Sequence, residues 1–509
     1  MSEHNGTPPF DPLRALESAA ASGLGHGRKS IPGIPRSDVL QALEAASGRS
    51  HDLQSILSDF VRALKAVGPF DLSVSYPEIG SMLNRMPDNP IWQDCCRIAE
   101  TYSVPYSFMG TNGTTGLIAL AVPTLTKPGD TILVDRSAHM SAYSGCVQSG
   151  ARPIYVRPEY NSRLGIPMPI TASQVQNALD AHADVRAVFL TYPTYWGLAS
   201  DIDSIVEICR SRAVPLIADS AHGAYLAFHP GLPRPAEHAG ATIVTQSTHK
   251  TLTALSQGSV VHIAEQAVAD DFFESMLSLG YVSTSHSYVI LASIALAVEV
   301  MRICGRSLLE ESLHHANWVR AEVPQIGGLR GFGVEDIASG LALDPLRITV
   351  NVSELDLSGY AASNWMRANA GLYAEMATPE NLLFLGTPFH GRDEAEHLID
   401  SLRRLAALQK GHRTGPQPKN GWDTPAIPEQ VLTPRQAKYA PRRRVSTDSA
   451  TGHVSAERIS CYPPGSAVIV EGERFTPEII DYLVAARAAG SSLMGARDST
   501  FETVSVITA

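Results

Sequence analysis

Residues 245–259, TQSTHKTLTALSQGS, place a lysine among hydroxyl side chains. Lys250 follows His249 directly and Ser247 by three positions, and the stretch contains no carboxylate. A lysine without an acidic neighbour loses its proton more easily, because no adjacent charge stabilises the ammonium form. The neutral amine can then form a Schiff base with a carbonyl group. The stretch therefore predicts a lysine that acts as an amine and not as a surface charge.

Two further apolar runs end in polar residues that could work with this lysine. VPLIADSAH ends with Asp219 and His222, and VFLTYPTYW contains Thr194. In open α/β sheets, ligands bind beyond the carboxyl ends of the strands, where such residues meet. We therefore expect these side chains to lie close to Lys250.

The segment SFMGTNGTTGLIAL predicts a site for an anion. Its turn contains Thr111, Asn112 and Gly113 and leads into an apolar helix. Hydroxyl groups and unpaired backbone N–H groups at a helix N-terminus bind anions such as phosphate. A reactive amine, a carboxylate and a phosphate turn are together the groups that hold pyridoxal 5'-phosphate (PLP), since they engage its aldehyde, its pyridine nitrogen and its phosphate. The sequence thus predicts PLP as the cofactor and no metal.

The elements that must position these residues have an α/β pattern. Between about residues 104 and 265, the β-rich runs DTILVD, RPIYVRP, VRAVFLTYP, VPLIADS and ATIVTQS alternate with helical patterns. Such alternation indicates βαβ units and a mostly parallel, covered sheet. We predict an N-terminal helical segment, a cofactor-binding large domain, a small α/β domain, a linker and a C-terminal domain, at residues 1–70, 71–335, 336–410, 411–428 and 429–509.

Composition limits the classes of partner and the compartment. The chain of 509 residues carries a formal net charge of -11, which argues against nucleic-acid or anionic-membrane partners. Its six cysteines are scattered without CxxC spacing, as expected for reduced thiols of a cytoplasmic protein. The N-terminus MSEHNGTPPFDP has no apolar core for a signal peptide, and VILASIALAVEVMRI (289–303) is too short to span a bilayer and predicts a buried helix.

These motifs resemble the fold-type-I PLP-dependent ornithine/lysine/arginine decarboxylases over nearly the whole chain. TQSTHKTLTALSQGS is similar to the lysine signature of that family, GTNGTTGLIAL to its phosphate turn and DSAHGAYLAFHPGLP to its aspartate segment. VDRSAHMSAYSG, YPTYWGLASDI and YPPGSAVIVEGERFT resemble further segments, the last in the C-terminal domain. The similarity is closest to the shorter arginine decarboxylases. It implies an aspartate-aminotransferase-like large domain, a small α/β domain and a C-terminal α+β domain.

The resemblance also implies roles for individual residues. Lys250 would be the Schiff-base lysine, Asp219 would pair with the pyridine nitrogen, and His139 and Ala221 would lie on opposite faces of the ring. Lys250 or His222 could protonate Cα after decarboxylation. The residues implied to hold the phosphate are Thr111, Asn112, Gly113, Ser247 and His249, with Thr194 as a further cofactor contact and Thr284 and Ser285 reaching the phosphate of a neighbouring subunit. An obligate dimer with shared active sites is therefore expected.

The chain departs from the family pattern near the substrate side. Ser220, Tyr225 and Met140 replace a glutamate, a histidine and a lysine of the family. We expect decarboxylation of arginine, lysine or ornithine, with two alternatives. One is oxidative decarboxylation-deamination or carbon–carbon bond chemistry on an amino acid in a specialised pathway. The other is a regulatory paralogue without turnover, although the intact pair of Lys250 and Asp219 argues against that role.

Overall fold

The computed structural model describes residues 85–87, 89–279, 286–355, 357–408, 422–462 and 465–508. The predicted N-terminal helical segment, most of the predicted linker, and Thr284 and Ser285 therefore lie outside the described residues.

A seven-stranded sheet forms the centre of the molecule, in the order β1-β10-β9-β8-β6-β2-β3. Its strands are Tyr106–Gly110 (β1), Thr131–Asp135 (β2), Arg152–Val156 (β3), Val185–Thr191 (β6), Leu216–Asp219 (β8), Ile243–Gln246 (β9) and Ser259–Ile263 (β10). Only β10 pairs antiparallel, with β1 and β9, and the other neighbours are parallel. The predicted mostly parallel α/β sheet is confirmed.

The strands of this sheet are buried because helices cover them. Strands β2, β8, β9 and β10 are buried along their whole length, as expected for apolar runs with both faces covered. The α-helices described between residues 90 and 322 are Pro90–Thr101 (α1), Gly113–Leu125 (α2), Met140–Ser149 (α3), Ala172–Ala181 (α4), Ile202–Ser211 (α5), Ala236–Ala239 (α6), Thr248–Thr251 (α7), Gln266–Ser278 (α8) and Tyr288–Glu322 (α9).

Helix α9 contains the most apolar segment of the sequence and is longer than that segment suggests. By length and composition it could cross a membrane, but half of its most apolar window is buried within the protein. It contributes Leu291, Ile294 and Val298 to the core beneath the central sheet and Leu309 and Leu313 to a second core. The predicted buried helix is confirmed, and it connects the two cores.

The second core lies under a small antiparallel sheet, here called the second sheet, in the order β12-β14-β13. Its strands are Arg347–Asn351 (β12), Met376–Ala377 (β13) and Asn381–Leu385 (β14), and its helices are Gly359–Ala370 (α10) and Arg392–Ala406 (α11). Two short antiparallel strand pairs lie outside these sheets. They are Tyr160–Asn161 (β4) with Ile166–Pro167 (β5), and Leu198–Ala199 (β7) with Ala342–Leu343 (β11).

The remaining elements form the C-terminal unit, which has a core of its own. They are the helices Pro434–Tyr439 (α12) and Pro477–Ala488 (α13) and the strands Arg442–Ser446 (β15), Ile459–Tyr462 (β16), Ala467–Ile469 (β17), Ser492–Met494 (β18) and Thr503–Ile507 (β19). Its mixture of strands and helices agrees with the α+β domain that the family resemblance implies.

A buried ion pair joins the C-terminal unit to the central sheet. The guanidinium of Arg136, just after β2, lies 2.6 Å from the carboxylate of Glu473, and the two side chains are 7% and 0% exposed. Arg136 also donates to the carbonyl of Val468 at 3.1 Å. Removal of one partner of such a pair strands a buried charge, so this contact fixes the unit against the sheet edge that carries the site.

Candidate active site

A cavity of about 480 Å³ opens at the carboxyl ends of the central strands, a volume typical of small-molecule sites. The sequence-predicted residues that line it are Asn112, Gly113, His139, Thr194, Asp219, Ala221, His222, Ser247, His249 and Lys250. Thr111 is not part of the lining, and Thr284 and Ser285 lie outside the described residues. The fold therefore brings nearly all the predicted residues to one place.

Neighbouring strands deliver the carboxylate and the lysine. Asp219 is the last residue of β8 and lies beside Thr245 of the parallel strand β9. The chain leaves β9 through Ser247 into α7, a single helical turn that contains Lys250. Because β8 and β9 run parallel, both side chains emerge at the same edge, as the spacing predicts.

The Lys250 amine lies against His222. Its Nζ is 3.2 Å from Nε2 of His222, while Nδ1 of His222 is buried without a hydrogen-bond partner among the described residues. Burial lowers the pKa of Lys250 below its usual value, against the opposing effect of Asp219. Burial, reinforced by Lys250 and Arg347, also holds the pKa of His222 well below its usual value. The imidazole is therefore neutral, so its Nε2 can accept a hydrogen bond from the Lys250 amine.

Asp219 has few groups to stabilise its charge. It is 4% exposed and accepts a backbone hydrogen bond from Ala221 at 3.1 Å. Burial raises the pKa of this carboxyl to about 6, although Lys250 acts in the opposite direction. A buried carboxylate with an elevated pKa gains from a cationic N–H partner, and a protonated pyridine nitrogen is such a group.

A second group of lining residues has the features of a phosphate site. Gly113, at the first turn of α2, has a φ of +66°, and a Cβ built there would meet no atom within 4 Å among the described residues. The hydroxyls of Thr114 and Ser247 are hydrogen-bonded to each other. His249 directs Nδ1 at the carbonyl of Gly258 at 2.6 Å; this nitrogen therefore carries a proton, because a carbonyl only accepts.

His139, Ala221 and Thr194 also line the cavity. His139 caps the N-terminus of α3 and its Nδ1 lies 2.8 Å from the hydroxyl of Ser141. The protein atoms around the His139 ring, aided by the charges of Lys250 and Arg458, lower its pKa below the usual value, so the ring is neutral. The Thr194 hydroxyl accepts from the backbone N–H of Leu198 at 3.2 Å, which leaves its own proton available to donate.

The structure adds lining residues that sequence reasoning did not select. They are Thr114, Thr115, Ile118, Ser137, Pro167, Met168, Thr191, Tyr195, Trp196, Ser256, Gln257, Gly465 and Ser466. The helix start at Gly113 explains the first two, since the free N–H groups of a helix belong to its first turn and not to the loop before it. Gly465 and Ser466 belong to the C-terminal unit, and only their YPPGS motif could have pointed to them.

Two departures from the family pattern lie outside the cavity lining. The hydroxyl of Ser220 is buried and donates to the carbonyl of Tyr192 at 2.5 Å. The hydroxyl of Tyr225 is buried and donates to Asp344. Both side chains therefore hydrogen-bond to residues around the cavity and do not line it.

Comparisons with known proteins agree with this site. A family model for the Orn/Lys/Arg decarboxylase major domain matches residues 51–337, more than half of the chain. The C-terminal domain model of the same family matches residues 422–500. The chain belongs to the Orn/Lys/Arg decarboxylase family. As a member of this family, it is a PLP-dependent amino-acid decarboxylase.

Individual relatives of this decarboxylase cover most of its length. An arginine decarboxylase of Bacillus subtilis (strain 168) is 35% identical over 80% of this chain and 84% of its own. The constitutive lysine decarboxylase of Escherichia coli (strain K12) is 26% identical over 84% of this chain and 72% of its own. The solved structure of the E. coli constitutive lysine decarboxylase aligns with a TM-score of 0.72 at 22% identity, over 99% of this chain and 82% of the other, which confirms the fold.

Proposed function

We propose that this decarboxylase removes CO2 from arginine, with Lys250 as the residue that holds PLP covalently. The observation that carries the proposal is the meeting of Lys250, Asp219 and His222 in one buried cavity. Arginine is favoured among basic amino acids because arginine decarboxylases are relatives at 35% and 32% identity, while the lysine decarboxylase of E. coli is at 26%.

The residues of the cavity fit PLP in charge and shape. Asp219 offers a buried acceptor for the pyridine N–H, and its pKa, raised by burial, would fall on pairing with that cation. The first turn of α2 and the hydroxyls of Thr114 and Ser247 form a donor-rich end for the phosphate. His139 and Ala221 would bound the two ring faces. When bound, PLP supplies a sink for the electron pair that CO2 leaves on Cα.

The protein side chains then manage the proton. The lowered pKa of Lys250 keeps its amine able to add to a carbonyl group. When the substrate amine takes its place, the Lys250 amine is free to transfer a proton. His222 lies within hydrogen-bond distance of Lys250, so the pair can hold a proton and deliver it to Cα of the substrate after CO2 departs.

We also propose a homodimer or a higher homo-oligomer with active sites shared between subunits, in which Thr284 and Ser285 contact the partner's phosphate. Mixing a Lys250→Ala variant with a Thr284→Ala,Ser285→Ala variant tests this idea. Shared sites predict partial recovery of activity in the mixture, whereas independent sites predict none.

We further propose a cytoplasmic location and the domain division predicted from the sequence. All six cysteines are free thiols, as expected in a reducing compartment. The separate cores of the central sheet, the second sheet and the C-terminal unit support division near residues 335 and 428. Limited proteolysis should cut first between residues 409 and 428 and leave the three units otherwise intact.

A substrate panel tests the proposed reaction. The PLP-loaded enzyme is incubated with arginine, lysine and ornithine while CO2, amine, ammonia and oxygen are followed. Agmatine and CO2 in equal amounts from arginine, without oxygen uptake, are expected. Oxygen uptake with ammonia and a keto or aldehyde product would establish the oxidative alternative. A protein without the visible absorbance of lysine-bound PLP, and without turnover of any amino acid, would favour the regulatory alternative.

A further inference from the structure

The main chain of His222 is held by an arginine from the second sheet. Arg347, the first residue of β12, is fully buried, and its Nη2 donates to the carbonyl oxygen of His222 at 2.8 Å. The residues are 125 positions apart in the chain, so this contact exists only when the second sheet is seated against the central one. The imidazole that faces Lys250 is thus anchored by a remote element.

Arg347 is itself fixed by a set of buried contacts. Its Nε lies 3.5 Å from the carboxylate of Asp344, which accepts from the hydroxyl of Tyr225 and from the backbone N–H of Leu346 at 3.0 Å. The Cγ of Arg347 would lie 2.3 Å from a Cβ placed on Gly197, whose φ is +80°. Glycine is required there because any side chain would displace the arginine.

A second contact holds the ring of His222 from the side. The Tyr195 ring meets the imidazole edge-on, with centroids 4.4 Å apart and an interplanar angle of 61°. The Tyr195 hydroxyl donates to Glu375 at 2.7 Å, and Glu375 directly precedes β13 of the second sheet. The second sheet therefore reaches His222 twice, through its carbonyl and through its ring.

We propose that Arg347 and Glu375 are positioning residues that set the His222 imidazole opposite the Lys250 amine, so that seating of the second sheet assembles the proton-transfer pair. The inference rests on the proposed role of His222 in the decarboxylation. It also gives Tyr225, a departure from the family pattern, a function: its hydroxyl secures the Asp344 carboxylate that braces Arg347. Arg347 and Glu375 do not line the cavity, and their contacts with the site run through His222 and Tyr195, while their charges also act on Lys250 from a distance.

Three conservative variants isolate position from charge. Arg347→Lys keeps the positive charge but is too short to retain the bond to the His222 carbonyl. Tyr195→Phe keeps the ring beside His222 and removes its link to Glu375. Glu375→Gln keeps an acceptor for Tyr195 and removes the charge, so it should be the mildest of the three. Arg330→Lys is the control, since Arg330 lies along the same sheet and pairs with Glu354 without contacting His222.

The expected result is a loss of kcat with arginine of roughly tenfold in Arg347→Lys and Tyr195→Phe, with KM within about twofold of wild type. In a His222→Asn background the same substitutions should change kcat by less than about twofold, because they act through the imidazole. Equal fold-losses in both backgrounds, or no loss in the wild-type background, would overturn the proposal. If Arg347→Lys fails to fold, Tyr195→Phe decides the test.

A measurement without substrate separates this inference from the proposed reaction. The pH midpoint of the visible absorbance of the lysine-bound cofactor reports the surroundings of Lys250, where Asp219, Glu375 and Arg347 supply the nearby charges. We expect a shifted midpoint in Arg347→Lys and Tyr195→Phe and none in Arg330→Lys. Unshifted midpoints would contradict positioning even if arginine is decarboxylated. Shifted midpoints in a protein that releases no CO2 would refute the reaction alone.

Discussion

The two walls of the catalytic cavity differ in how the chain builds them. The inner wall comes from the carboxyl ends of β8 and β9 and consists of Asp219, His222, Ser247 and Lys250. The outer wall comes from a turn after β6 and from the C-terminal unit and consists of Tyr195, Trp196, Gly465 and Ser466. The inner wall holds the groups for bond chemistry, and the outer wall depends on docking between units. Substitutions in the inner wall should therefore abolish chemistry, whereas those behind the outer wall should weaken it.

The largest effect is expected at Lys250. Lys250→Ala removes the amine that attaches PLP, so decarboxylation should fall to background and the visible absorbance of the attached cofactor should vanish. Lys438→Ala is the matched control, because Lys438 is exposed and is not among the residues that line the cavity. Residual turnover in Lys250→Ala close to that of the control would break the assignment of the inner wall.

His222→Asn should have the next largest effect. Loss of the imidazole removes one member of the proton-transfer pair, and such groups contribute about 10²–10⁴-fold to rate. We expect kcat to fall by about 10²-fold while PLP remains bound through Lys250, as checked by steady-state kinetics and by the visible spectrum. A normal kcat would show that Lys250 delivers the proton without His222.

The inner wall could be predicted from sequence because its residues lie in short motifs at strand ends. Asp219 ends one short strand and Lys250 follows the next, so the rule for parallel sheets places them together. Thr111 was chosen and Thr114 passed over because the residue that starts α2 is not evident from the turn sequence, and only helical residues donate from the first turn. The start of α2 at Gly113 places Thr114 at the cavity beside the predicted Asn112 and Gly113, and Thr111 does not line it.

The outer wall could not be predicted in the same way, because its contacts join distant parts of the chain. The bond from Tyr195 to Glu375 spans 180 positions, and that from Arg136 to Glu473, which holds the C-terminal unit, spans 337. No local periodicity encodes such pairs, since each depends on how separate cores dock. The family resemblance pointed to a C-terminal domain but not to the side chains that fix it against the sheet.

Glu473→Gln tests the outer wall through the docking of the C-terminal unit. It strands the buried Arg136, so the free energy of unfolding should fall by about 3–5 kcal/mol. Because Gly465 and Ser466 belong to this unit, kcat/KM should fall several-fold while PLP stays attached. Glu429→Gln is the control: Glu429 pairs with Arg474 at 2.8 Å but is 66% exposed, and it should change stability by less than about 1 kcal/mol. Equal effects of the two variants in urea unfolding would contradict a docking role for the buried pair.

The smallest effect is the pH dependence of the stability of the cofactor-free protein, which arises from Asp219 in the inner wall. Burial raises the pKa of Asp219 from 3.8 to about 6 in the folded chain, so folding favours the protonated carboxyl. The associated stability is full below about pH 4 and is lost as pH rises through 6, a change of about 3 kcal/mol. Cofactor-free wild type should therefore lose about 3 kcal/mol relative to Asp219→Asn between about pH 4 and pH 7 in urea unfolding. A difference that stays constant with pH would show that Asp219 is solvated.

The most direct test of the account is to locate the covalently attached cofactor. The PLP-loaded wild-type enzyme is reduced with borohydride, digested and examined by peptide mass spectrometry, with Lys250→Ala treated in parallel. If Lys250 holds PLP, a pyridoxyl phosphate adduct is expected on the peptide that contains Lys250, and no adduct is expected at any lysine of the variant. An adduct on another lysine of the wild-type enzyme, or no adduct at all, would contradict the assignment of Lys250 as the residue that holds PLP.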